Sequence, residues 1–147
     1  AGVTEEGVDL HFGNQAKADG KGIAALETVE FQLKLITNLG EGVESEMVIY
    51  SLKDLHQIEV LFDGIIAAWR SGDLDTIHRL FVEDMKDYPE IYAAMLKDRN
   101  ARWIPQIEAM LETEATELVL VGVGHMPGKD GLIQLLEAKG YTVTQVE

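Results

Sequence analysis

The 147-residue sequence contains no cysteine, which excludes disulfides, thiolate zinc sites and cysteine nucleophiles. It is also poor in cations, because 12 Lys and Arg stand against 26 Asp and Glu, for a net charge of −14. That balance argues against nucleic acid or an anionic membrane as a partner, since both would be repelled. No apolar run approaches the ~20 residues of a membrane span, so we expect no membrane segment in this chain. No G-x-S-x-G pattern is present either, which leaves serine acyl transfer without support.

The apolar content of 46% is ordinary for a globular protein, and the length suits one domain or part of a larger one. The sequence opens on Ala1-Gly2-Val3-Thr4, which resembles the interior of a longer chain, and no signal peptide is visible. We therefore expect residues 1–147 to form a single domain that is part of a larger fold.

Helical periodicity dominates the chain. Thr28 and Asp73 are suitable N-caps, and Pro89 suits a first helical turn. Pro105 predicts a kink or a fresh helix start near Arg99-Asn100. The predicted helices cover 8–19, 29–39, 44–71, 74–85, 91–111 and 132–139.

Three short apolar runs predict strands at 22–27, 118–121 and 142–146. The run at 118–121 is unbroken, as in a strand buried on both faces of a parallel sheet. The expected fold class is therefore α/β: a helix-rich domain with a small, mainly parallel sheet. Because three strands leave exposed edges, the chain is expected to be half of a larger sheet.

Two ionisable residues fall at the carboxyl ends of predicted strands, where α/β proteins commonly bind ligands. Glu27 ends the first run, and His125 follows the second after Gly122-Val123-Gly124. A carboxylate and an imidazole there could share a metal, or act as base and orienter around a water. The alternative is that His125 is a hydrogen-bonded core residue beside glycines that merely let the chain turn.

Arg99 and Asn100 form a polar pair inside an otherwise amphipathic helix. Arginine can bind a carboxylate or phosphate with two parallel hydrogen bonds, and asparagine can hold a water or a carbonyl. The alternative is a helix junction, with Asn100 as N-cap and Arg99 in a surface ion pair.

A series of residues in one order along the whole chain resembles a known family. The strongest segment is Gly122-x-x-His125, a G-x-x-H motif, and no other histidine follows a glycine by three positions. The order looks like the C-terminal half of the TraB/GumN/Tiki superfamily, whose members carry two such motifs. The matching residues are Gly7-Val8-Asp9, Ala16, Gly20-Lys21, Leu26-Glu27-Thr28, Gln32, Trp69, Gly72-Asp73, Arg99-Asn100, Trp103, Gly122-x-Gly124-His125-Met126-x-Gly128 and Gly140-Tyr141-x-Val143.

The resemblance implies a metal-dependent hydrolase acting on a peptide or amide bond. It makes His125 a metal ligand, Glu27 a second ligand or the general base, and Arg99 and Asn100 groups that hold the substrate carbonyl or its developing charge. Oxygen and nitrogen donors would accept Mn, Co or Zn. Because the first motif is absent, this chain alone is expected to be inactive and to bind no metal without the missing N-terminal half or a second copy.

The resemblance also has implications for the partners and the cellular location of the protein. Some relatives inhibit peptide pheromones, so a non-catalytic module that sequesters a peptide is the alternative function. The family also implies an extracytoplasmic location, periplasmic or membrane-associated. If the resemblance holds, Glu27, Arg99, Asn100 and His125 must converge on one cleft, with their side-chain groups roughly 4–10 Å apart.

Overall fold

The structure is a computed structural model that describes residues 7–38 and 58–146. Its α-helices within these ranges are labelled α1 to α7 in chain order. They are α1 (Val8–Ala18), α2 (Val29–Asn38), α3 (Ile58–Ser71), α4 (Leu74–Ile77), α5 (Pro89–Tyr92), α6 (Asp98–Leu111) and α7 (Leu132–Ala138). The part of the predicted 44–71 helix that precedes Ile58 lies outside the described residues.

The helix ends follow the local sequence signals. The Thr28 hydroxyl accepts a hydrogen bond from the Phe31 backbone N–H at 3.1 Å, which confirms it as the cap of α2. The Asp73 carboxylate accepts from the Thr76 N–H at 3.0 Å and caps α4 in the same way. Pro89 lies at the start of α5, where its missing N–H costs no helical hydrogen bond.

Two helical segments contain wide turns. The segment His78–Val82 follows α4 as a π-helix, and Ala93–Lys97 is a second π-helix between α5 and α6. In the first, the Glu83 N–H donates to the His78 carbonyl, five residues back. A 3₁₀ turn at Asp84–Asp87 precedes α5. The chain stays helical from Pro89 to Leu111, so the kink or fresh helix start expected near Arg99-Asn100 is instead a change from π to α geometry at Asp98, and Pro105 lies inside α6.

The predicted sheet is wrong: the described residues contain no strand. Residues 21–25, 116–122 and 141–146 have no regular secondary structure, and Leu118 is 66% exposed. A strand needs a neighbouring strand to satisfy its backbone, whereas a helix satisfies its own. Each of the first two runs instead contributes a single apolar side chain, Leu26 and Val121, to a core built by helices.

That core lies between α6 and α7. Trp103, Ile104 and Ile107 of α6 and Leu132 of α7 are all less than a tenth exposed. Leu26, Val121, Met126, Leu135 and Leu136 pack around them. The helical face that buries this cluster also points the polar residues one turn earlier in α6 toward the loop that follows Val121. No described helix is both long and apolar enough to cross a membrane.

Candidate functional site

His125 ends a short 3₁₀ turn, Val123–His125, and is 7% exposed. Its backbone N–H donates to the Gly122 carbonyl at 2.9 Å, which closes the turn. A Cβ on Gly124 would lie 2.6 Å from the Phe81 ring, so only glycine allows the first π-helix to pack this closely. The G-x-G-H segment is therefore a tight turn that places an imidazole in the interior.

Asn100 joins this turn to α6. Its Nδ2 donates to the carbonyl of His125 at 3.2 Å and to that of Asp130 at 2.7 Å. The two acceptors fix the amide orientation, so Oδ1 faces His125 Nδ1 at 2.7 Å as an acceptor. His125 Nδ1 therefore carries the proton, and Nε2 carries a lone pair that faces Arg99 Nη1 at 3.4 Å. Asn100 is 1% exposed and lies inside α6, so it is not the N-cap considered above.

Arg99 and Glu27 form a partly buried ion pair, with side chains 14% and 5% exposed. Arg99 Nε donates to both Glu27 oxygens, at 3.0 and 3.1 Å, and Nη2 donates to Oε2 at 2.8 Å. Nη1 donates to the Met95 carbonyl at 3.2 Å and lies 3.4 Å from His125 Nε2. The guanidinium thus bridges the carboxylate and the imidazole, and the surface ion pair considered from the sequence does not apply to Arg99.

Aromatic rings surround the charged groups. The Trp103 and His125 rings are in contact, with centroids 4.5 Å apart and planes tilted by 42°, and the Arg99 guanidinium lies 4.9 Å from the Trp103 ring centroid. Arg102, whose side chain is 52% exposed, lies 4.4 Å above the Phe31 ring. Its Nη2 is 4.0 Å from Glu27 Oε1, so two guanidinium groups face one carboxylate. The cluster is therefore a positively charged region in a strongly acidic chain.

The pKa values follow from burial and from these partners. Burial and the Arg99 charge lower the pKa of His125 to about 4, although the Glu27 charge acts in the opposite direction. Burial alone would raise the pKa of Glu27, but the hydrogen bonds and charge of Arg99 hold it below its ordinary value. The Trp103 indole N–H also helps to lower it, without making a hydrogen bond of normal geometry to any described residue. At neutral pH, His125 is therefore uncharged and Glu27 is ionised.

Tyr92 and Asp130 also hold the loop that contains His125, and no sequence pattern predicted either residue. The Tyr92 hydroxyl donates to Asp130 Oδ2 at 2.8 Å, across 38 positions of the chain. Burial and this hydrogen bond raise the pKa of Tyr92 to about 12. Asp130 therefore contacts Tyr92 through its carboxylate and Asn100 through its backbone. Neither residue belongs to a motif, and only the fold brings them together.

Hydrogen bonds and contacts of 2.7–3.4 Å join Glu27, Arg99, Asn100 and His125 into one cluster, so the residues meet as expected but more closely than the predicted 4–10 Å. The expected reason for it was wrong, because no strand ends there. Whether these residues catalyse a reaction or bind a metal stays a prediction. As placed, they do not fit a metal: Arg99 occupies both Glu27 oxygens and faces His125 Nε2. No group of three or more His, Cys, Asp or Glu side chains able to hold a metal occurs among the described residues.

Comparison with known proteins gives one match. The model of the TraB/PrgY/gumN family matches residues 1–145 of the chain. Searches of the curated proteins and of the solved structures found no match. The expectation that the chain is specifically the C-terminal half of such a domain is not tested by this match and stays a prediction.

Proposed function

The chain belongs to the TraB/PrgY/gumN family, and we propose that it supplies part of the active site of a metal-dependent hydrolase. The substrate class is a peptide or another compound with an amide bond. The residues proposed to act are Glu27, Arg99, Asn100 and His125. The remaining part of the site would come from an N-terminal half or from a second copy of the chain.

The observation that carries this proposal is the 2.7 Å contact between His125 Nδ1 and Asn100 Oδ1. Histidines that bind metals commonly donate their other ring N–H to a fixed oxygen, which sets the tautomer and the ring orientation. Here that oxygen belongs to an amide held by two carbonyls, so it cannot rotate without losing both bonds. The lone pair on Nε2 is thereby held in one direction.

The low pKa of His125 helps to choose between two roles. A nitrogen with a pKa of about 4 is a weak general base at neutral pH, where an effective base has a pKa near 7. The same nitrogen stays unprotonated over the whole physiological range, as a ligand must. We therefore assign His125 the role of an electron-pair donor to a cation rather than that of a proton acceptor.

The other residues act on the substrate side of the site. A partly buried guanidinium that already holds a carboxylate through three N–H contacts can also hold a carbonyl oxygen or its developing negative charge. Asn100 positions His125 and the loop carbonyls. Glu27 is proposed as the second donor or the base, and both of its oxygens accept hydrogen bonds from Arg99 in this structure. A divalent cation, Mn, Co or Zn, would polarise the scissile carbonyl or a water when bound.

The test uses the full protein with a mixture of peptides, with and without a chelator. We expect cleavage that is abolished by chelation and by His125→Ala. His11→Ala is the matched control, because His11 is exposed on α1 and contacts none of these residues. Unchanged cleavage and unchanged metal content in His125→Ala would rule the proposal out.

A second candidate is a module that sequesters a peptide without cleaving it. The Arg99–Glu27 pair favours it, because it shows a guanidinium binding a carboxylate in a sheltered place, as it would a peptide terminus. The two functions differ in stoichiometry. Intact peptide recovered in a one-to-one complex that a chelator does not disturb would favour sequestration. The extracytoplasmic location remains a separate proposal, which fractionation of cells producing the full-length protein would test.

A further inference from the structure

Arg102 makes no hydrogen bond with a carboxylate of the described residues. The one carboxylate oxygen that lies within 4.0 Å of its guanidinium there is Glu27 Oε1, at 4.0 Å from Nη2, which is too long for a hydrogen bond. Both Glu27 oxygens already accept shorter hydrogen bonds from Arg99. Arg102 is therefore a second cation beside a carboxylate that is already paired, and it gives the cluster an excess of positive charge on its exposed side.

The Arg102 side chain is positioned without using its guanidinium N–H groups. Its guanidinium carbon lies over the Phe31 ring, 4.4 Å from the centroid, and the side chain is 52% exposed. An aromatic face attracts a guanidinium through its charge and takes up none of its N–H donors. The Gln106 amide also donates to the backbone carbonyls of Arg102 and Leu26, both at 3.2 Å, which ties the residue before Glu27 to α6. The donors of Arg102 are thus held in place and remain available.

The acidic residues closest to Phe31 and Arg102 along their helices do not take up these donors. Glu30, which precedes Phe31 in α2, pairs with Lys34 at 2.8 Å. Asp98 lies one turn before Arg102 in α6, yet the described part of the chain contains no ion pair between them. A carboxylate supplied by another molecule is therefore the group that would complete the contacts of Arg102.

The net charge of −14 does not prevent such a ligand from binding. At physiological ionic strength, exposed charges separated by more than about 8 Å are largely screened, so distant acidic residues have little effect on a single negative charge. A polyanion would still meet many acidic groups along its length. The chain therefore disfavours a polyanion and admits a ligand that brings one carboxylate to the two guanidinium groups.

We propose that Arg102, positioned by Phe31, binds a carboxylate of the peptide and so selects peptides that carry one close to the amide bond. The inference rests on the proposed function, because it names the substrate class of the same site. Arg102 Nη2 lies 4.0 Å from Glu27 Oε1, and one residue of extended chain spans roughly 3.3–3.6 Å. The selected carboxylate is therefore within about two residues of the amide bond on which the cluster acts.

The first experiment measures peptide binding to the full protein by calorimetry, with a chelator present so that binding is separated from cleavage. The probes are acetyl-trialanine with a free carboxylate, its C-terminal amide, and the amide with one alanine replaced by glutamate. We expect at least one carboxylate peptide to bind at least about fivefold more tightly than the plain amide. Arg102→Gln should remove this preference, and Arg102→Lys should retain part of it, because lysine keeps the charge but not the paired donors.

Arg70→Gln is the matched control, because it removes one positive charge from an exposed arginine on α3. It should leave the preference unchanged. Tight binding of the free acid identifies the C-terminal carboxylate as the group bound, and tight binding of the glutamate peptide identifies a side-chain carboxylate; either result sustains the inference. Equal binding of all three peptides, a preference that survives Arg102→Gln, or an equal loss in Arg70→Gln would each overturn it.

A second experiment needs no variant, and it covers the case in which Arg102→Gln does not fold. Nuclear magnetic resonance follows the Arg102 Nε–H of the unmodified protein during addition of each peptide. We expect this signal to shift with a carboxylate peptide and not with the plain amide, and equal shifts would contradict the inference. Carboxylate-dependent binding without any cleavage would sustain the inference and contradict the hydrolase. Cleavage that requires His125 but neither Arg102 nor a peptide carboxylate would sustain the hydrolase and overturn the inference.

Discussion

Replacing Asn100 by alanine removes three hydrogen bonds from a residue that is 1% exposed. It leaves the carbonyls of His125 and Asp130 and the His125 Nδ1–H without their partner. Each buried polar group left unpaired costs about 1–3 kcal/mol, less where water can enter. With about 1 kcal/mol for each bond and some lost packing, we expect Asn100→Ala to lower the free energy of unfolding by about 3–5 kcal/mol.

Urea unfolding followed by circular dichroism measures this loss. Asn14→Ala is the matched control, because Asn14 is exposed on α1 and should change the stability by less than about 0.5 kcal/mol. A loss below about 1 kcal/mol for Asn100→Ala would refute the reasoning, since it would mean that the loop is not held to α6 by this amide.

Three further predictions follow from the same site. Glu27→Gln should lower the free energy of unfolding by about 3 kcal/mol, because it leaves Arg99 without its counter-ion. In a double-mutant cycle measured by urea unfolding, Glu27→Gln with Arg99→Met should lower it by less than the sum of the two single changes, and additive losses would contradict this prediction. Because the pKa of His125 is lowered to about 4, its contribution to the free energy of unfolding is complete above pH 6.5 and is lost, by up to about 3 kcal/mol, as the pH falls from 6.5 through 4. The free energy of unfolding should therefore change with pH at different slopes in the unmodified protein and in His125→Gln, and parallel slopes would refute this. Gly128→Ala should lower the free energy of unfolding by about 2 kcal/mol, because φ is +86° and a Cβ would lie 2.6 Å from the His78 ring. Gly140→Ala, where φ is +93° but the space around a Cβ is open, should lower it by about 1 kcal/mol. Equal losses of stability in thermal denaturation would contradict the packing argument.

The helices could be predicted from the sequence because their signals are local. Thr28 and Asp73 accept hydrogen bonds from N–H groups three residues away, so a four-residue window contains both partners. The π-helices could not be predicted, because no residue type specifies a shift from i+4 to i+5 bonding. The strands were wrong because a short apolar run can be buried by one side chain as well as by a sheet, as Leu26 shows.

The meeting of Glu27 with Arg99 was predicted from the family resemblance and not from any physical pattern. The two residues are 72 positions apart, and periodicity carries no information at that distance. Convergence was expected at the ends of paired strands, yet one turn of α6 accomplishes it by directing Arg99, Asn100 and Trp103 toward the same loop. No sequence pattern predicted Asp130, because one of its two contacts is made by a backbone carbonyl that any residue would provide.

The second π-helix determines how the site can change during evolution. Within it, the Asp98 N–H donates to the Ala93 carbonyl, so this turn contains one more residue than an α-turn. Tyr92 lies just before the turn and Asn100 just after it, and both hold Asp130. Deleting one residue here would therefore leave an ordinary α-turn, and Tyr92 and Asn100 would keep their orientation toward Asp130. A single-codon deletion in this turn can thus be accommodated, whereas a deletion in α6 after Asp98 would rotate the residues before it by about 100° relative to those after it.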